Sequence, residues 1–260
     1  MIEIRHLYKM FGESRVINDL DLTVRAGETK VVIGRSGVGK SVLLKCINGI
    51  LKPDYGSIRV EGREVTGLNE KEYNKIRMEI GMVFQGGALF DSMTIEENVA
   101  FVLNEFMDLS PREVRIKVEE CLAMVGLHGM EHFSPSDLSG GMKKRVSIAR
   151  VLCMEPKMIF YDEPTDEVDP VTGDTIDNLI IKLRDQLNVT SIVVTHDMSS
   201  AYKVADSIAM LYHGRLIADG TPDEIRNSKH PVVQQFINGK ADGPIADEEA
   251  LLVGNGRMIE

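Results

Sequence analysis

The run Gly34-Arg35-Ser36-Gly37-Val38-Gly39-Lys40-Ser41 constrains the fold of this chain more than any other stretch. It follows Lys30-Val31-Val32-Ile33, a short apolar strand pattern. It opens a helical segment, Lys40 to Asn48, that Gly49 stops with a left-handed cap suited to a residue without Cβ. Strand, glycine-rich loop and helix in that order make a phosphate cradle. The glycines let backbone N–H groups close around phosphate oxygens, and the helix N-terminus adds a partial positive charge. Gly34, Arg35, Ser36, Gly37, Val38 and Gly39 are therefore expected to surround phosphates, with Lys40 on the β and γ phosphates and Ser41 on Mg²⁺.

Two further apolar strands end on polar residues. Met158 to Tyr161 closes on Asp162-Glu163, and Ser191 to Thr195 closes on His196. A buried strand in a parallel sheet delivers its last side chains to the crevice beyond its carboxyl edge, so these acids and this imidazole are expected beside the phosphates. Asp162 is expected on Mg²⁺, mainly through water, and Glu163 as general base or water-orienting group. His196 is expected to hydrogen-bond the γ-phosphate. Gln85 follows a third apolar run, Met82-Val83-Phe84, where its amide can touch both Mg²⁺ and the attacking water.

The period-2 patterns at Ile2 and Ile4 and at Leu20, Leu22 and Val24 predict a small N-terminal antiparallel sheet. Between about Gly86 and Arg150 the strand patterns give way to helical ones. There Ser110-Pro111-Arg112-Glu113 is a capping box with proline at the first helical position. Val114, Val118, Cys121, Leu122 and Val125 form an apolar stripe that Gly126 ends, a packing face with no cofactor implied. A helix around Thr172 to Gln186, a hairpin turning at His213-Gly214, and a capped helix from Thr221 complete the pattern. The fold class is α/β, with a unit over 1–240 that holds an inserted helical lobe at about 86–150. An extension over 241–260 follows, poor in periodicity and expected to be disordered or ordered only by a partner.

A net charge of −10 with no basic cluster argues against nucleic acid as a partner. No apolar run approaches the roughly 18 to 20 residues of a membrane span, and Met1-Ile2-Glu3-Ile4-Arg5 lacks the features of a secretion signal, so a cytoplasmic location is expected. Cys46, Cys121 and Cys153 are far apart in sequence and set among apolar residues, as reduced core thiols would be.

With Leu138-Ser139-Gly140-Gly141 placed ahead of Asp162-Glu163, the order of these motifs resembles the ATP-binding subunits of ABC transporters over roughly residues 1 to 225. The resemblance implies a RecA-like parallel core, an ATPase activity with ATP and Mg²⁺, and a homodimer in which Ser139, Gly140 and Gly141 cap the nucleotide of the other subunit. It implies that Phe11 stacks on adenine, with Val16 beside it in the nucleotide site. Two positions depart from the pattern. Met142 stands where glutamine is usual, and Asp166-Glu167-Val168-Asp169 carries acids where many relatives have small residues.

The segment Gln85 to Val99, with Gly87-Ala88-Leu89-Phe90-Asp91-Ser92 inside it, and the tail from Gln235 to Pro244 resemble the Mla-type ATPases of Mce-associated lipid transporters. That implies an ATPase attached to the cytoplasmic face of an inner membrane, working with a permease, an Mce-domain protein and a STAS-domain subunit to move phospholipid. Residues near Leu89 and Phe90 would line the permease groove or belong to the lobe's core. A transporter ATPase for another substrate, a non-transport ABC ATPase and a regulatory clamp that closes without useful turnover are the alternatives at this point.

Overall fold

A computed structural model describes residues 1–246. Two sheets form the frame. The first is antiparallel, in the order β2-β1-β4-β5, from β1 (Ile2–Phe11), β2 (Ser14–Val24), β4 (Tyr55–Val60) and β5 (Arg63–Glu64). The second, in the order β10-β9-β3-β8-β7-β6, comprises β3 (Thr29–Ile33), β6 (Ile80–Val83), β7 (Met158–Asp162), β8 (Thr190–Thr195), β9 (Ser207–Tyr212) and β10 (Arg215–Gly220). Its strands run parallel except β10, which returns antiparallel along β9.

Every residue of β3, β6, β7 and β8 is buried, which is why these strands read as unbroken apolar runs. Successive side chains point to opposite faces. Val31, Ile33, Tyr161 and Val193 therefore join one core, while Val32, Phe160, Ile192 and Val194 join the other. The second core lies under the antiparallel sheet and the helices α1 (Lys40–Ile47) and α2 (Glu70–Arg77). The first is closed by α3 (Ile95–Phe106), α4 (Pro111–Met124), α5 (Gly140–Leu152), α6 (Pro170–Leu187), α7 (Met198–Val204), α8 (Pro222–Arg226) and α9 (Pro231–Ile237).

Helices α3, α4 and α5 lie between β6 and β7 in the chain, the inserted helical part. Thr94 and Ser110 cap α3 and α4, each in a reciprocal box with the glutamate three residues on. Of the expected stripe on α4, Val118, Cys121, Leu122 and, just past the helix end, Val125 are buried and Val114 is packed against them. All three cysteines are buried and free. Cys121 and Cys153, distant in sequence, join the same core, and the Cys153 thiol donates to the Lys117 carbonyl on α4 at 3.9 Å. Among the described residues no helix is long and apolar enough to cross a membrane.

The tail departs from the expectation of disorder or partner-dependent order. Residues 240–246 fold back on α9, where the Gln235 amide donates to the carbonyls of Lys240 and Ala241 at 3.2 and 3.3 Å and accepts from the N–H of Ile245 at 2.8 Å. Ile245 is buried in the first core. One side-chain amide thus satisfies an irregular backbone, an arrangement that leaves no periodicity to read. Residues 247–260 of the expected extension lie outside the described residues. Ile245→Ala should lower stability by about 2 kcal/mol, read as an earlier urea midpoint with unchanged slope. An unchanged midpoint would mean the segment is not seated in solution.

Candidate active site

The loop between β3 and α1 takes a backbone that its glycines permit. Gly39 has φ +110°, and a Cβ there would stand 2.9 Å from Val16 Cγ1 and 3.0 Å from the Val16 carbonyl oxygen. Val16 is thereby packed on the loop itself. At Gly34 a Cβ would meet the Leu211 carbonyl oxygen at 2.5 Å. Lys40, buried at the first position of α1, curls back under the loop and donates to the carbonyls of Gly34 at 2.8 Å and Arg35 at 3.1 Å. Its ammonium also lies 3.1 Å from Glu163 Oε1.

At the end of β7, the Ser41 hydroxyl donates to Asp162 Oδ1 at 2.7 Å. Asp162 is buried, and desolvation raises its pKa, with only partial relief from that hydrogen bond. A carboxylate penalised in this way is eased by a cation at its free oxygen. Together with the Gln85 amide oxygen, the donors are few and all hard oxygens, a set suited to Mg²⁺, which takes its remaining ligands from water and phosphate. Glu163 occupies the left-handed region at φ +47°, a strained conformation for a residue with a side chain. Its carboxylate is clamped from two sides: Oε1 faces Lys40, while Oε2 accepts from the backbone N–H of His196 at 3.2 Å and from its Nδ1 at 3.0 Å. An ionised carboxylate only accepts, so Nδ1 carries the proton and Nε2 is the other end of the ring.

Gln85 stands just past β6, its Nε2 donating to Asp166 Oδ2 at 2.7 Å. Lys144, buried on the second turn of α5, donates to the backbone carbonyl of Gln85 and, at 3.3 Å, to that of Glu163. Desolvation lowers the pKa of this ammonium, opposed by the carboxylates of Asp166, Glu167, Asp162 and Glu163. The loop after Gln85 is held from behind. Arg150 donates to the carbonyls of Ala88 at 2.7 Å and Gly87 at 3.0 Å, and the fully buried Asn98 ties Phe90, Met93 and Thr94.

Ser36, Gly37, Gly39, Lys40, Ser41, Gln85, Glu163, Asp166 and His196 line one cavity of about 400 Å³. A larger cleft of about 870 Å³ opens at the far end of the strands around Lys30, Asp206 and Asp219. There Lys30 pairs with Asp219 at 2.7 Å and Arg184 with Asp206 at 3.0 Å, whereas the smaller cavity gathers the glycine-rich loop, Gln85, Glu163 and His196.

Other expected site residues stand apart. Phe11 ends β1 half exposed, with the Lys9 ammonium 5.4 Å from its ring centroid, and is not among the lining residues. Val38 packs its side chain into the second core. Arg35 borders a different cavity, beside Gln235, Lys240 and Ile245. Ser139 is exposed and caps α5, accepting from the N–H of Met142 at 3.3 Å, with Gly140 and Gly141 opening the helix. None of these three lines the cavity. Leu89 is partly buried on the first core. Phe90 is less than half exposed, its ring 4.8 Å from that of Phe101.

Lys144 is a residue of the site that the sequence reading did not single out. The signal was present: Lys144 lies three residues after Gly141 and four before Ile148, on a stripe that is buried along the helix. A charge on such a stripe needs partners.

The family model for "ABC transporter" matches residues 17–166. A Mycobacterium tuberculosis protein described as a probable ribonucleotide transport ATP-binding protein, mkl, is 41% identical over 262 residues, covering 96% of this chain and 73% of that protein. The Haemophilus influenzae intermembrane phospholipid transport system ATP-binding protein MlaF is 37% identical over 245 residues, covering 94% of this chain and 93% of MlaF. Among solved structures, the dimeric post-hydrolysis state of the ATP-binding cassette MJ0796 bound to ADP and Pi superposes with a TM-score of 0.79 at 33% identity, over 85% of this chain and 99% of that one.

Proposed function

We propose, on the premise that this chain belongs to the ABC transporter family and is an ATPase using ATP with Mg²⁺, that its hydrolysis drives phospholipid transport through an inner-membrane permease. The observation that carries the lipid reading is the match to MlaF along 93% of that protein, a relative whose name states phospholipid transport. The segment from Gln85 to Val99 supports the same branch. The mkl relative is named for ribonucleotide transport, which makes a different cargo the competing reading.

In the mechanism we infer, the loop from Gly34 to Gly39 and the N-terminus of α1 hold the phosphates, and Lys40 shifts from Glu163 to the β and γ oxygens. Ser41, Asp162 and Gln85 would hold Mg²⁺, which neutralises charge developing on the phosphate oxygens. Glu163, released by Lys40 but still held through His196, takes the proton of the attacking water. His196 presents Nε2 to the γ-phosphate. Ser139 and Gly140, which are exposed, and the buried Gly141 beside them, all outside their own chain's cavity, serve the nucleotide of a second copy, the two copies closing head to tail around ATP. Phe11 stacks on adenine with Val16 beside it.

The ATPase unit spans 1–240 with its helical lobe at about 86–150, and Phe90 and Phe101 offer the permease an apolar contact. The protein sits peripherally on the cytoplasmic face of the inner membrane, with an Mce-domain and a STAS-domain subunit in the complex. Purification of the native complex from membranes, followed by mass spectrometry, tests this. A polytopic permease recovered with an Mce-domain protein is the expected result; a permease recovered with no Mce-domain protein and with a receptor that binds ribonucleotides as cargo would overturn the phospholipid assignment.

A further inference from the structure

Gln85 is gripped at both ends. Lys144 donates to its backbone carbonyl, and Asp166 accepts from its side-chain amide at 2.7 Å. These two residues come from separate segments, one on α5 five residues after Ser139, the other on the turn that follows Glu163. The Lys144 ammonium also holds the carbonyl of Glu163 at 3.3 Å, so one buried cation joins the ends of the adjacent strands β6 and β7. Three N–H groups on a compact ammonium can serve two carbonyls at once, and burial makes each bond costly to lose. Asp166 acts on orientation. Its carboxylate accepts only, so it takes the amide's NH₂ end and leaves Oε1 as the end of Gln85 that can face elsewhere.

We propose that Lys144 and Asp166 are a pair of positioning residues. They fix Gln85 in place and in amide orientation, and through Lys144 they tie the position of α5 to Gln85 and Glu163 together. Neither touches the reacting atoms. The inference rests on the reading of Gln85 and Glu163 as groups of the ATPase site. It adds a mechanical link: a shift of α5, whose first residues Ser139 and Gly140 are exposed, moves both strand ends in concert. It also gives the unusual acid at position 166 a use, as the acceptor that sets the amide.

The test is steady-state ATP hydrolysis and nucleotide binding by the full chain. The variants are Lys144→Met, which keeps the stem and removes the donors, Lys144→Arg, which restores donors, and Asp166→Ala. Lys144→Met should lower kcat by about 10- to 100-fold, the scale of a displacement near 1 Å in a catalytic group, with KM for ATP within about twofold of wild type. Lys144→Arg should recover most of that loss. Asp166→Ala, on an open turn where folding is not at stake, should lower kcat by about 3- to 10-fold, again at constant KM, and should have little effect once Gln85 is already alanine. Equal loss in Lys144→Met and Lys144→Arg, or unchanged kcat in Asp166→Ala, overturns the proposal. Glu163→Gln run in parallel separates the two levels: if that variant hydrolyses like wild type the site reading itself fails, and if it is inactive while Asp166→Ala is normal only the positioning pair fails.

Discussion

Glu163→Gln should abolish turnover, lowering kcat by about 10²- to 10⁴-fold, the range a positioned general base contributes, while ATP binding persists and an ATP-bound dimer accumulates. Shape is kept and proton acceptance is lost. The amide also fits its clamp badly in the empty protein. Oε1 of the glutamate faces the Lys40 ammonium, and Oε2 takes two donors from His196. An amide has one oxygen, so whichever partner it satisfies, its NH₂ is turned on the other set of donors, at a cost of about 1 kcal/mol. In the mechanism proposed above, ATP draws Lys40 to phosphate, and the amide can then give its oxygen to His196. The variant should therefore show a larger ATP-induced rise in Tm than wild type. Light scattering on the variant with ATP and Mg²⁺ reads the dimer directly. A clamp that closes without useful turnover predicts the reverse, with Glu163→Gln and wild type indistinguishable in both rate and assembly.

The parts of this protein that the sequence announces are those in which one strand or one turn carries the signal alone. The phosphate loop is legible because Gly39 must adopt φ +110° against Val16 and no other residue type fits. Asp162, Glu163 and His196 are legible because buried strands end at them. The left-handed conformation of Glu163 is not, since nothing local selects it; it is held by Lys40, His196 and the Val194 carbonyl, which come from α1 and the end of β8. Lys144, Arg150 and Asn98 carry the same lesson. Each is a polar side chain on a helix, satisfied by loop carbonyls: those bound by Lys144 and Arg150 are about sixty residues away in sequence, and those bound by Asn98 lie in the loop just before its helix. Helical periodicity marks such residues as anomalies without naming their partners. The seat of residues 240–246 is hidden for a different reason, because a single glutamine side chain replaces the repeating hydrogen bonds that leave a pattern.

Lys40→Met should weaken ATP binding by about 100-fold and, unlike most losses of a ligand contact, should also destabilise the empty protein. The binding loss follows from two charge-assisted hydrogen bonds to phosphate at about 1.5 kcal/mol each, with every 1.4 kcal/mol worth tenfold. The stability loss follows from Glu163. Lys40 and Glu163 are both largely removed from solvent and lie 3.1 Å apart, so removing the ammonium leaves a buried carboxylate with only His196 as partner. Breaking one side of a buried pair costs about 3 to 5 kcal/mol. The carbonyls of Gly34 and Arg35 lose their donor as well. Replacing both members relieves the uncompensated charge, so Lys40→Met/Glu163→Gln should recover more than half of the stability lost in Lys40→Met, while hydrolysis stays absent. Urea midpoints of wild type, the two single variants and the double variant close this cycle. Additive losses would show that Lys40 and Glu163 do not sense each other in the empty protein, and the transfer of Lys40 from carboxylate to phosphate would then have no basis.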